Sequence, residues 1–142
     1  MENYDNEMKL EFISNPNNEA LARIAVASFA ASLDPTIEEI SDIKTAVSEA
    51  VTNCIIHGYE NTKGIVIIKS RIKENVVEIE IIDSGKGIEN VEKAKEPLFT
   101  TKPEEERSGM GFTIMESFMD EMKVTSRLEE GTTVYLKKII RN

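Results

Sequence analysis

Apolar and polar residues alternate from Met8 to Ile13, the period of a half-buried strand. The same period returns over Gly64–Ile72 and Val76–Asp83, joined by Lys73, Glu74 and Asn75. It returns again over Lys123–Leu128 and Thr132–Ile140, around Glu129, Glu130 and Gly131. Such short polar joints predict two antiparallel hairpins. Between the first strand and the first hairpin the period becomes helical. Asn15, Pro16, Asn17 and Asn18 read as a turn with a helix cap, and an alanine-rich helix is predicted over Glu19–Leu33. Asp34-Pro35 breaks it. Thr36 with Glu39 forms a capping box that opens a second helix, which runs to about His57 and stops at Gly58. On that helix Ile40, Ile43, Val47, Val51, Cys54 and Ile55 gather into one apolar stripe, which should face the sheet. From Ser84 to Gly111 regular period is lost apart from a short helix-like piece near Glu92–Lys95, and a connection of that length in a compact domain is usually functional. Phe112–Met122 is helical again. These elements predict one α+β domain over residues 1–142: a mixed, mostly antiparallel sheet covered on one face by helices.

The bulk properties narrow the class. A chain of 142 residues with 40% hydrophobic content suits one ordinary globular core. No apolar run reaches the length of a membrane span, and the acidic, polar N-terminus does not read as a secretory leader, so a cytoplasmic protein is expected. Cys54 is the single cysteine, which excludes an internal disulfide and reads as a small buried thiol. The net charge of -9 argues against a nucleic-acid surface and for protein partners. A phosphate ligand would need local cations, and Lys102 and Arg107 are the candidates.

Three separated stretches carry possible chemistry. Glu49 and Asn53 lie four apart on the second helix, on a face turned away from the centre of the apolar stripe. They are either part of a solvated face or a pair presented to a ligand. Glu49 could act as a general base on a hydroxyl, and Asn53 could offer its side-chain oxygen to Mg²⁺. Asp83 ends a strand, and Gly85 and Gly87 follow it. This is either an ordinary turn or an aspartate held to accept a hydrogen bond from an exocyclic amine such as that of adenine. Ser108, Gly109, Met110 and Gly111 precede a helix, whose first N–H groups can bind phosphate; the alternative is a hinge with an N-cap serine. Thr132, after Gly131, could bond to Asp83 or to a base if the two strands are neighbours. His57 reads as a helix-end residue that favours the dipole.

Together these segments resemble the ATP-binding fold shared by DNA gyrase, the chaperone Hsp90, histidine kinases and MutL. Glu49–Asn53 is similar to its N box, Asp83–Gly87 to its first glycine box and Gly109–Gly111 to its second. Ser48–Gly58 and Leu98–Asp120 are more specifically similar to the anti-sigma F factors of spore-forming bacteria. That resemblance implies a Bergerat-type sandwich that binds ATP or ADP with Mg²⁺. It implies a homodimeric serine kinase that holds a sporulation sigma factor and phosphorylates an anti-anti-sigma protein. It implies Glu49 as catalytic base, Asn53 as Mg²⁺ ligand and Asp83 as adenine contact. Gly85, Gly87, Thr100, Thr101, Lys102, Ser108, Gly109, Met110, Gly111 and Thr132 complete the ATP site, with Arg107 on the γ-phosphate. Arg23 on the first helix is implied as a partner contact. Two alternatives share the pattern: a general-stress anti-sigma kinase, and an ATP-binding module that transfers nothing. An isolated histidine-kinase catalytic domain fits less well, since no phosphoacceptor helix precedes the domain in this sequence.

Overall fold

The structure is a computed structural model that describes residues 3–96 and 111–142. Among these, β1 (Asn6–Ile13), β2 (Ile65–Lys73), β3 (Val76–Asp83), β4 (Glu121–Arg127) and β5 (Gly131–Ile139) form one sheet. Its order is β1-β2-β3-β5-β4. The expected α+β class holds, but the sheet is not mixed: all four ladders are antiparallel. β3 and β4 run the same way, yet β5 lies between them and pairs with both, so no parallel ladder forms.

α1 (Asn18–Ala30), α2 (Ile37–Asn53) and α4 (Gly111–Phe118) cover one face, with α2 packed against both of the others. A four-residue helix, α3 (Val91–Ala94), lies in the long connection. α2 begins as its sequence predicts. The Thr36 hydroxyl accepts from Glu39 N–H at 3.0 Å, and Glu39 accepts from Thr36 N–H at 2.9 Å. The alternation of the strands becomes alternation of burial. Val66, Ile68 and Ile72 of β2 and Val77, Ile79 and Ile81 of β3 point inward, against Ile43, Val47 and Val51 of α2 and Val26 of α1. The residues between them, such as Lys69, Arg71, Glu78 and Glu80, line the outer face, where Arg71 pairs with Glu80 at 3.0 Å.

Two local features differ from expectation. α4 ends at Phe118 rather than Met122. Lys138 on β5 donates to the Phe118 carbonyl at 2.6 Å and to Asp42 at 3.0 Å, and Asp120 N–H donates to the Lys137 carbonyl at 2.8 Å. The helix is therefore closed by a cation from the sheet, and strand pairing takes over at once. The end of the second helix, Cys54–Gly58, is a π-turn, with Tyr59 N–H donating to the Cys54 carbonyl at 2.8 Å. Single π-turns inside or at the end of α-helices often mark functional sites.

The inner face changes character at one end of the sheet. One row in from that end, facing positions are Ile68, Ile81, Val134 and Val124. In the last row they are Val66, Asp83, Thr132 and Ser126. Three polar residues in register thus replace three apolar ones where α2 gives way to the π-turn.

Candidate nucleotide site

A cavity of about 380 Å³ opens over that polar row. α2 and the π-turn contribute Ala50, Asn53, Cys54, His57 and Gly58; the sheet contributes Asp83, Thr132 and Val134. The connection after β3 supplies Gly87, Ile88 and Asn90, and the start of α4 supplies Gly111 and Phe112. Its walls are mainly apolar with a few convergent polar groups, the composition of a small-molecule site.

Asp83 is 6% exposed. Its Oδ1 accepts from Gly85 N–H at 2.9 Å. Burial pushes its carboxyl above the usual carboxylate range, against the pull of hydrogen bonds from Gly85 N–H, the Cys54 thiol and Thr132 N–H. Burial, reinforced by the nearby Asp83 charge, pushes the Cys54 thiol well up. Thr132 does neighbour Asp83, as its partner in the ladder. The Thr132 hydroxyl lies 2.7 Å from the Ser126 hydroxyl, which accepts from Ile88 N–H at 2.8 Å. This chain of contacts ties the loop after Asp83 to β4 and β5.

The two glycines after Asp83 serve different ends. Gly87 lines the cavity at φ +77°, a conformation that L side chains rarely adopt. Gly85 does not line it. A Cβ there would overlap the Gly58 carbonyl, so this glycine lets the loop close on the π-turn, where Lys86 N–H donates to the same carbonyl at 2.9 Å. Tyr59 adds a second tie, accepting from Ser84 N–H at 2.7 Å and donating to the Ile65 carbonyl at 2.5 Å.

Of the residues singled out from sequence, Asn53, Asp83, Gly87, Gly111 and Thr132 share this cavity. Glu49 does not join them. One turn earlier on α2, it lines a separate recess of about 280 Å³ with Arg23, Lys44 and Ser48. Arg23 itself donates to Glu19 at 2.9 Å. Glu49 and Asn53, four apart on one helix face, thus line two different hollows among the described residues. Thr100, Thr101, Lys102, Arg107, Ser108, Gly109 and Met110 lie outside the described residues.

His57, Lys86, Asn90 and Lys93 line the cavity without having been singled out for it. His57 was legible in principle, since it continues the four-residue step from Glu49 through Asn53. Lys86 and Lys93 carry no such pattern; they are the cavity's described cations, and Lys86 also pairs with Glu60 at 3.5 Å. Among the described residues no group of three His, Cys, Asp or Glu side chains could hold a metal alone. The neutral amide of Asn53 on the cavity wall suits a hard cation that takes most of its ligands from phosphate and water.

Residues 12–138 match the family described as the histidine kinase-like ATPase domain, which makes this a nucleotide-binding α+β fold. The curated relatives narrow it. The chain is 64% identical over 137 residues to the anti-sigma F factor of Thermoanaerobacter sp. (strain X514), covering 96% of each chain. It is 63% identical over 137 residues to that of Caldanaerobacter subterraneus subsp. tengcongensis, and 55% identical over 139 residues to that of Clostridium kluyveri. The chain belongs to the anti-sigma F factor family. Its fold also matches a crystal structure of the RsbU and RsbW domains of Rv1364c from Mycobacterium tuberculosis, at 20% identity and a TM-score of 0.69. That match covers 95% of this chain and 32% of the other.

Proposed function

We propose that this protein is an anti-sigma factor and an ATP-dependent serine kinase. It holds a sporulation sigma factor away from RNA polymerase and phosphorylates a serine of an anti-anti-sigma protein. The observation that carries the reading is the cavity over the Asp83–Thr132 row, with Asn53 on its wall, in a chain 64% identical to an anti-sigma F factor.

In this reading Asp83 accepts a hydrogen bond from the exocyclic amine of adenine, and Thr132 and Ser126 hold the strand ends that keep it there. The α4 N-terminus faces the phosphates, and Arg107 is assigned to the γ-phosphate. Mg²⁺, when bound by Asn53 and phosphate oxygens, neutralises charge on the transferring group. Glu49 takes the proton from the acceptor serine hydroxyl as its oxygen attacks the γ-phosphorus. The bond from that phosphorus to the bridging oxygen breaks, leaving ADP and a phosphoserine. Arg23 and the outer face of α1 serve partner binding, and the working unit is a homodimer in the cytoplasm.

The recess that holds Glu49 apart from the cavity also favours a second reading, a nucleotide-binding anti-sigma module without transfer. Incubation with γ-labelled ATP and the purified anti-anti-sigma protein decides between them. The kinase reading expects label on a partner serine. Nucleotide binding with no label on the partner leaves only the module.

A further inference from the structure

Three contacts meet at the Ser126 hydroxyl. Ile88 N–H, on the loop after Asp83, donates to its oxygen at 2.8 Å. The Gly131 carbonyl lies 3.0 Å away and the Thr132 hydroxyl 2.7 Å away. A serine hydroxyl has one proton to give and two lone pairs to receive with. A carbonyl can only accept, so the contact with Gly131 takes the Ser126 proton. Ile88 N–H fills one lone pair, and the other is left for the Thr132 proton. In this arrangement all three contacts are hydrogen bonds and Ser126 is saturated.

The consequence falls on Thr132. It lines the cavity beside Asp83, its ladder partner on β3, while Ser126 faces it from β4. Ser126 itself does not line the cavity. With its proton committed to Ser126, the Thr132 hydroxyl oxygen can only accept. An ionised Asp83 is likewise an acceptor only. Two neighbouring acceptors match a group with two protons, the exocyclic amine of an aminopurine. They oppose the oxo group that an oxopurine carries in its place. A site built of hydrogen-bonding groups discriminates strongly, because the wrong ligand leaves a polar atom unpaired.

We propose that Ser126 is a positioning residue for base recognition: by taking the Thr132 proton it makes the cavity's polar row accept-only and so selects 6-amino over 6-oxo purine nucleotides. The inference rests on the adenine role of Asp83 proposed above. A Ser126 that merely docks the loop through Ile88 would, when removed, weaken both kinds of nucleotide alike.

Calorimetric titration with ADP and with inosine diphosphate, which carries an oxo group in place of the amine, tests it in the presence of Mg²⁺. The wild type is expected to prefer ADP. Ser126→Ala frees the Thr132 proton, so that preference should fall about 3- to 10-fold, the order of one hydrogen bond, and Ser126→Thr should restore it to within about 2-fold. Thr132→Val removes the acceptor and should lower the preference to a similar extent. Adding Ser126→Ala to Thr132→Val should then change it by less than about 2-fold, since Ser126 acts through Thr132. An unchanged preference in either single variant, or a further fall in the double variant, overturns the inference and leaves the adenine reading standing. A wild type that binds both nucleotides equally overturns both.

Discussion

Single residues carry the sharpest consequences. Ser70 faces the core from β2 at 0% exposure, and its hydroxyl has no hydrogen-bond partner among the described residues. An orphaned buried hydroxyl is destabilising, so Ser70→Ala is expected to raise unfolding free energy by about 1 kcal/mol in a denaturant titration. A loss of stability there would mean that the hydroxyl has a partner. Asp83 is the opposite case, a buried acid whose Oδ1 accepts from Gly85 N–H. Glu49, as the proposed general base, is expected to bear on chemistry rather than affinity. General-base catalysis is typically worth about 10²- to 10⁴-fold, so Glu49→Ala should lower phosphotransfer by at least about 100-fold. Its affinity for ATP should stay within about 3-fold, since Glu49 does not line the cavity. Unchanged transfer would remove Glu49 from the mechanism. Asp83 and Thr132 could be suspected from their places at strand ends. The facing of Thr132 on Asp83 could not, because it depends on β5 entering the sheet beside β3.

At the scale of elements, local signals were readable and distant ones were not. Strand alternation and the Thr36–Glu39 capping box are properties of a few adjacent residues, and both stand in the structure where the pattern puts them. The early stop of α4 depends on Lys138, 20 residues beyond Phe118, so helical period alone overran it. The π-turn is stabilised by the loop after Asp83, which docks on Gly58, and nothing in Cys54–Gly58 announces a wider turn. Glu39 shows one residue serving both ranges. Besides capping α2 it accepts from Arg141 N–H at 2.7 Å and Asn142 N–H at 3.3 Å, fastening the end of the chain to the helix start. Hydrogen bonds from Arg141 N–H, then Thr36 N–H, hold its carboxyl below the usual range, outweighing burial. A carboxyl depressed in the folded state stabilises above its unfolded pKa, and that contribution is lost as pH falls through the folded value. The stability difference between wild type and Glu39→Gln, measured by urea unfolding, should therefore be full at pH 7 and shrink steadily below about pH 4. A difference independent of pH would show that charge at Glu39 contributes nothing.

The whole molecule is a sheet with an apolar inner face that turns polar in its last row, and a central helix whose end is opened to leave a hollow there. The excess of acid, -9 in net charge, is carried in a chain whose described cavity cations are Lys86 and Lys93. Acidic balance of that size suits a basic protein partner and repels nucleic acid. Bound phosphate would therefore need local neutralisation, by these lysines and by the proposed Mg²⁺, Lys102 and Arg107. The central claim is that this hollow takes an adenine nucleotide through Asp83. Calorimetric titration of the wild type and Asp83→Asn with ADP in the presence of Mg²⁺ tests it most directly. The wild type should bind one ADP per chain and Asp83→Asn at least about 10-fold more weakly, the order expected for a hydrogen bond to a charged group. Equal affinity in the two proteins would contradict the account.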